Sequence, residues 1–194
     1  HDVLVAVVDT GIDYNHPDLA ANYVAGGYDW ANNDSDPMDD NGHGTHCAGI
    51  IAATINNSIG IAGMAQVKMM AEKAINASGS GSWEPVAKGI INATDAGAKI
   101  ISISLGGDES ELLHDAIRYA YSHGVLIVAA AGNNNSEIKQ YPAGYDEVIA
   151  VAATDQNDEK ASFSNWGDWV ELSAPGVNII STVPGSSYQL KSRS

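Results

Sequence analysis

The chain has 194 residues, of which 44% are hydrophobic and 17% charged, a balance that suits one globular domain with a sizeable core. The 24 acidic side chains outnumber the 9 basic ones, for a net charge of −15. That excludes a phosphate-binding surface built from clustered Lys and Arg, so no nucleic-acid partner is expected. The single cysteine excludes an internal disulfide, and no apolar run reaches membrane-spanning length, so no membrane partner is expected either.

Residues 3–8, VLVAVV, are continuously apolar and rich in β-branched side chains, which predicts a strand buried on both faces. It runs into Asp9-Thr10-Gly11, placing a carboxylate at a strand's carboxyl end, where α/β proteins put their chemistry. Residues 13–42 are turn-rich and dense in Asp and Asn, a composition that suits either a solvated loop or calcium. Asn41-Gly42 then breaks the chain before His43-Gly44-Thr45-His46-Cys47-Ala48-Gly49. Its small and apolar residues predict a tightly packed helix with His43 at its mouth, a suitable mount for a proton-shuttling imidazole.

Beyond a polar turn at 55–61, a second strand is expected at 67–74 and an exposed loop at 77–82. Ser82 is the expected cap of a helix that ends at Gly97. A third strand is expected at 100–105, closed by Gly106-Gly107. A helix follows, with Leu112, Leu113, Ala116, Ile117, Ala120 and Tyr121 on one face and Gly124 as its stop. Further strands are expected at 125–131, 147–153 and 177–183, with a shorter mixed segment at 161–173. Strands alternating with helices predict a three-layer α/β/α fold around a mostly parallel sheet, as a single domain over 1–194. Asp9, Leu105-Gly106 and Asn133 all follow strands and are expected to meet His43 at one sheet edge.

Four motifs in register, Asp9-Thr10-Gly11, His43-Gly44-Thr45-His46, Ser104-Leu105-Gly106-Gly107 and Ala130-Ala131-Gly132-Asn133, resemble the subtilisin-like serine proteases. Residues 41–49 and Thr154-Asp155-Gln156-Asn157-Asp158 bring the resemblance nearest to the thermitase-like branch. It implies a broad-specificity endopeptidase in which Asp9 orients His43, the general base, and Asn133 stabilises the oxyanion. It further implies that Gly79, Ser80 and Gly81 on one side, and Ser104, Leu105 and Gly106 on the other, clamp an extended peptide. Ala129, Ala130, Ala131 and Gly132 would line the pocket before the scissile bond, with Gln140 at its floor, shortening it or making it more polar.

The resemblance also implies two calcium sites. One would use Asp18, Asn57 and the carbonyls of Ile55, Ile59 and Ile61. The other would use Asp29, Asn32, Asp34 and the Asp36 carbonyl, although Met38 stands where an oxygen donor is expected. His46 and Cys47 are expected to be structural, with the sulfur out of reach of the His43 imidazole. Protein substrates, a propeptide, secretion and a monomeric state follow from the same resemblance.

The resemblance expects a Gly-Thr-Ser-Met-Ala motif after residues 188–192, where this chain reads Arg193-Ser194. The expectation is of a fold incomplete at its C-terminus, with an N-terminal segment, the nucleophile and its helix missing, inert by itself and exposing an apolar groove. Neither Ser192 nor Ser194 has the glycine context of a nucleophile. Three other classes fit parts of the sequence: a peptide-binding pseudoprotease, a metal enzyme built on His43 and His46, and a phosphotransfer domain built on Asp9.

Overall fold

The computed structural model describes residues 3–194. Six parallel strands form one sheet: β1 (Leu4–Asp9), β2 (Lys68–Lys73), β3 (Ile100–Ile103), β4 (Leu126–Ala130), β5 (Val148–Thr154) and β6 (Leu172–Pro175), in the spatial order β2-β1-β3-β4-β5-β6. The ladder aligns Val7 with Ala71 on one side and Ser102 on the other, so every strand points its carboxyl end the same way. The functional loops therefore emerge along one edge.

Side-chain alternation along β1 separates two cores. Val7 packs with Ile12, Leu19, Ala48, Ala52, Met69 and Ala71 beneath α1 (His43–Ala52). Ala6 and Val8 belong to the larger core on the opposite face. There, Val86 and Ile90 belong to α2 (Trp83–Asp95), which lies against β1 and β2, and Leu113 and Ile117 to α3 (Glu111–Ser122), which lies against β4. The three layers are those expected.

Ser102, Val128, Ala130 and Val151 are only half-buried and line a groove of about 200 Å³ on the remaining part of the first face.

Three local details differ from expectation. Residues 177–183 do not join the central sheet. They supply β7 (Ile179–Val183), which pairs antiparallel with β8 (Ser187–Lys191) in a separate hairpin. Ser82 is the N-cap residue of α2 but makes no side-chain cap bond, whereas Ser110, not foreseen, accepts from Leu113 N–H at 3.4 Å and caps α3. Of the mixed 161–173 segment, Ala161 N–H bonds to the Ala153 carbonyl of β5 at 2.9 Å, and its end supplies the start of β6.

The hairpin is pinned to α1 by side chains. Thr182 and Ser181 hydroxyls donate to the carbonyls of Thr45 and His46 at 2.8 and 2.7 Å. The His46 Nε2 faces the carbonyls of Gln189 and Ile179 at 3.0 and 3.2 Å.

Candidate active site

Asp9 leaves the end of β1 almost fully buried, with 1% of its surface exposed. His43 opens α1 with a quarter of its side chain exposed, 27%, into a cleft. Its Nδ1 lies 2.7 and 2.9 Å from the two carboxylate oxygens of Asp9. The Nδ1 proton is thereby held on the Asp9 side, which leaves Nε2 as the nitrogen free to accept a proton. Burial by itself lowers the imidazolium's pKa, but the hydrogen bond and charge of Asp9, with a smaller contribution from Cys47, raise it well above the usual imidazole range. Asp9 thus favours the imidazolium that forms when Nε2 takes up a proton.

The close approach of α1 to β1 depends on Gly44. A side chain there would collide with the Gly11 carbonyl and press on Asp9 Cβ. Cys47 is one helical turn beyond His43 and only partly buried, and its Sγ sits 4.0 Å from Nδ1. It approaches the nitrogen already committed to Asp9, however, and not the free one. Asp9, His43 and Cys47 also bring one ligand atom each within 4.8 Å of the others.

The cleft measures about 890 Å³. Gly79, Ser80 and Gly81 form one rim, and Ser104, Leu105 and Gly106 the other. Among the described residues, the backbones of Gly81 and Gly106 make no hydrogen bonds, so both rims have groups available for an extended chain. Asn133 and Gly132 close the end beyond β4.

Gly132 has φ +109°, and a Cβ there would meet the amides of Gln140 and Asn165. Gln140 is carried by an antiparallel bridge between Gly107 and Tyr141, whose N–H and C=O groups pair at 3.0 Å in both directions. Its amide therefore lies between Gly106 and Gly132, in the cleft wall expected to set specificity.

Two wall assignments require correction. Ala129 and Ala131 belong to the core under α2 and α3 and do not line the cleft, whereas Ala130 and Gly132 do. Period-two alternation along β4 allows only every second residue to face the cleft. Sequence reasoning missed Asn41, Trp83 and Asp108, which also line it; Trp83 Nε1 donates to the Asp108 carbonyl at 3.0 Å. A tryptophan directly after the Gly-Ser loop was the available signal.

The two serines near the chain end are engaged elsewhere. Ser194 Oγ donates to the Gly132 carbonyl at 2.8 Å and its N–H donates to Asn133 Oδ1 at 2.8 Å, while Ser192 Oγ accepts from Asn178 N–H. Among the described residues, no hydroxyl is hydrogen-bonded to His43. The His46 ring is turned onto the hairpin carbonyls, so it does not share a metal-binding face with His43.

Of the first set of expected calcium ligands, Asp18 and Asn57 meet, with Asn57 presenting its NH₂ group to the carboxylate. Asp18 is fully buried, and its carboxylate accepts from Asn57 Nδ2 at 2.6 Å, Ile61 N–H at 2.9 Å and the Tyr188 hydroxyl at 3.1 Å. The loop carrying Ile55, Ile59 and Ile61 wraps around it, and Asn57 Oδ1 accepts from Ile59 N–H.

In the second set, Asp29 and Asp34 pair through their backbones, at 2.9 and 3.0 Å. Asp29 is held by Asn32 and lies 3.5 Å from the buried Lys73 ammonium, Asp34 accepts from Asp36 N–H, and Asp36 accepts from the Tyr14 hydroxyl. Asp29, Asp34 and Asp36 do not bring three carboxylates within 4.8 Å of one another. The Met38 carbonyl accepts from Lys73 at 2.9 Å. The Lys73 ammonium thus sits against Asp29, one of the expected ligands, and not against Asp34 or Asp36.

The sequence profile of the subtilase family matches residues 1–194. The chain belongs to the subtilase family. Among the subtilases it is 53% identical over 186 residues to thermitase of Thermoactinomyces vulgaris, a match covering 95% of this chain and 66% of thermitase. It is 52% identical over 186 residues to the thermophilic serine proteinase of Bacillus sp. strain AK1, covering 95% of this chain and 46% of that protein. The crystal structure of a cold adapted subtilisin-like serine proteinase superposes with a TM-score of 0.91 at 35% identity, covering 98% of this chain and 69% of that one. The subtilase chain described here thus spans about half to two thirds of the length of the first two relatives.

Proposed function

We propose that this chain supplies the acid and base of a serine endopeptidase. Asp9 holds the His43 ring, and Nε2 of His43 takes the proton from a serine hydroxyl presented across the cleft. The same nitrogen then returns the proton to the leaving amine. Asn133, beside Gly132, donates its side-chain amide to the oxyanion. The observation that carries this reading is the contact of His43 Nδ1 with both oxygens of a buried Asp9, at a helix mouth opening on an extended cleft.

An extended peptide pairs with the backbones of 79–81 and 104–106, which tolerates many sequences and gives broad endopeptidase specificity. Specificity is tuned where Ala130, Gly132 and Gln140 meet. The residues 1–194 act as one unit of a single peptidase domain, working as a monomer outside the cell after a propeptide is removed. Family membership supports that last statement.

Asp18, Asn57 and the carbonyls of Ile55, Ile59 and Ile61 fit a structural calcium ion. The buried Asp18 carboxylate has no ion-pair partner among the described residues, and the 55–61 loop lies against it through Asn57 and Ile61. When bound, calcium would supply the missing counter-charge and tie residues 55–61 to the segment after β1.

The test is peptide hydrolysis by the 194-residue chain and by the same chain joined to a segment bearing the serine motif. The second is expected to hydrolyse peptides and the first to be inert. Robust hydrolysis by the 194 residues alone, or none by the joined protein in its folded state, overturns the proposal.

A further inference from the structure

Asp39 stands outside the acid and base just described, yet it is 4% exposed and accepts five hydrogen bonds. No Lys, Arg or His among the described residues forms an ion pair with it. A buried carboxylate without a cation is costly unless its lone pairs are filled, and here they are.

The donors come from two different segments. Thr10 Oγ1, Asn41 N–H and Gly42 N–H reach Oδ1, each at 2.9 Å. Thr45 N–H and Oγ1 reach Oδ2 at 2.9 and 2.6 Å. Thr10 follows Asp9 directly, and its own N–H donates to Asp9 Oδ1 at 2.7 Å. Gly42 and Thr45 flank His43. The Thr10 hydroxyl oxygen in turn accepts Gly44 N–H at 2.9 Å.

The first turn of α1 has no acidic residue, and its N-cap, Gly42, has no side chain to offer. Asp39 therefore caps this helix from outside it, satisfying the N–H of Thr45 and meeting the positive end of the helix dipole.

We infer that Asp39, acting through Thr10 and the first turn of α1, is a positioning residue that holds Asp9 and His43 in register. The strand end carrying the acid and the helix mouth carrying the base are separated by a 33-residue loop (Thr10 to Gly42). Asp39 and Thr10 join them by hydrogen bonds separate from the Asp9–His43 contact. The inference rests on the reading of Asp9 and His43 as a working pair, but one of its readouts does not.

The test uses Asp39→Asn and the pair Thr10→Val and Thr10→Ser. An asparagine offers its single oxygen to one donor set and turns an NH₂ group toward the other. Valine keeps the shape of threonine and removes the hydroxyl, and serine returns it.

The first readout is the proton resonance of His43 Nδ1–H in the 194-residue chain. A proton shared with a carboxylate at this distance lies far downfield of an ordinary imidazole N–H. The second is kcat and KM of the serine-bearing protein. Asp39→Asn and Thr10→Val are expected to lose or broaden the downfield resonance and to lower kcat by about 10–100-fold at similar KM. Thr10→Ser is expected to restore both.

If the folded variants keep the resonance and kcat and lose only thermal stability, Asp39 is a helix cap and nothing more, and the inference is wrong. Should Asp39→Asn fail to fold, the Thr10 pair decides by the same criteria. If the serine-bearing protein shows no peptidase activity at all, the endopeptidase proposal fails while the resonance still decides this one.

Discussion

Nδ1 of His43 lies within 2.9 Å of both carboxylate oxygens of Asp9, while no described hydroxyl bonds to His43. The acid and base are thus assembled by 194 residues without a hydroxyl in hand. The role of Asp9 follows from this contact. Asp9→Asn in the serine-bearing protein preserves the shape but can hold the wrong tautomer, and kcat is expected to fall by about 10⁴ with KM little changed. Steady-state kinetics on a peptide anilide measures it.

Asn133 stands at the cleft end beside Gly132. Replacing it by Ala in the serine-bearing protein is expected to lower kcat by about 10²–10³, a magnitude carried over from subtilisin itself, again at similar KM. An equal effect on KM and none on kcat would remove Asn133 from the oxyanion role.

Gln140 fills the space between Gly106 and Gly132. Gln140→Gly opens that wall, so kcat/KM is expected to shift toward substrates with larger apolar side chains before the scissile bond. A substrate panel varying only that residue reads the change. An unchanged profile means that Gln140 does not set specificity.

Glu72 is a buried strand residue whose carboxylate accepts from Trp30 Nε1 at 2.6 Å and Asn92 Nδ2 at 2.7 Å. Burial pushes its pKa up to about 7, against the lowering effect of those two bonds. Because the folded value is raised, its favourable contribution is full below the ordinary carboxylate range. It is lost as pH rises through 7. The stability of the parent chain relative to Glu72→Gln is therefore expected to fall by about 1–3 kcal/mol between pH 4 and pH 8. Denaturant melts at the two pH values check the sign.

Asp18 supports the calcium reading. Calcium at about 100-fold its Kd is expected to raise the Tm by about 5–10 °C, and Asp18→Asn to abolish the rise. Identical melting in calcium and in chelator would leave Asp18 as a buried acceptor for Tyr188, Asn57 and Ile61.

Much of this was legible in the sequence. Strands buried on both faces are apolar runs, so β1, β3, β4 and β5 could be read directly, and the motifs at strand ends and at the mouth of α1 pointed to Asp9, His43 and Asn133. What escaped depends on distant partners. Asp29 looked like a metal ligand because nothing local announces that Lys73, 44 residues later, lies beside it. Asp39 looked like one more acid in a solvated loop because its burial is tertiary. The β8 strand was missed because SYQLK is largely exposed and pairs only within a hairpin. The Cys47 contact and the inward turn of Ala129 and Ala131 were recoverable from helical and strand periodicity alone.

The most direct measurement is fluorophosphonate labelling of the serine-bearing protein, with the modified residue mapped by mass spectrometry. The label is expected on one serine outside residues 1–194, to vanish in His43→Ala, and to be absent from the 194-residue chain. Labelling that survives His43→Ala, or that falls on Ser192 or Ser194, would contradict the assignment of His43 as the base.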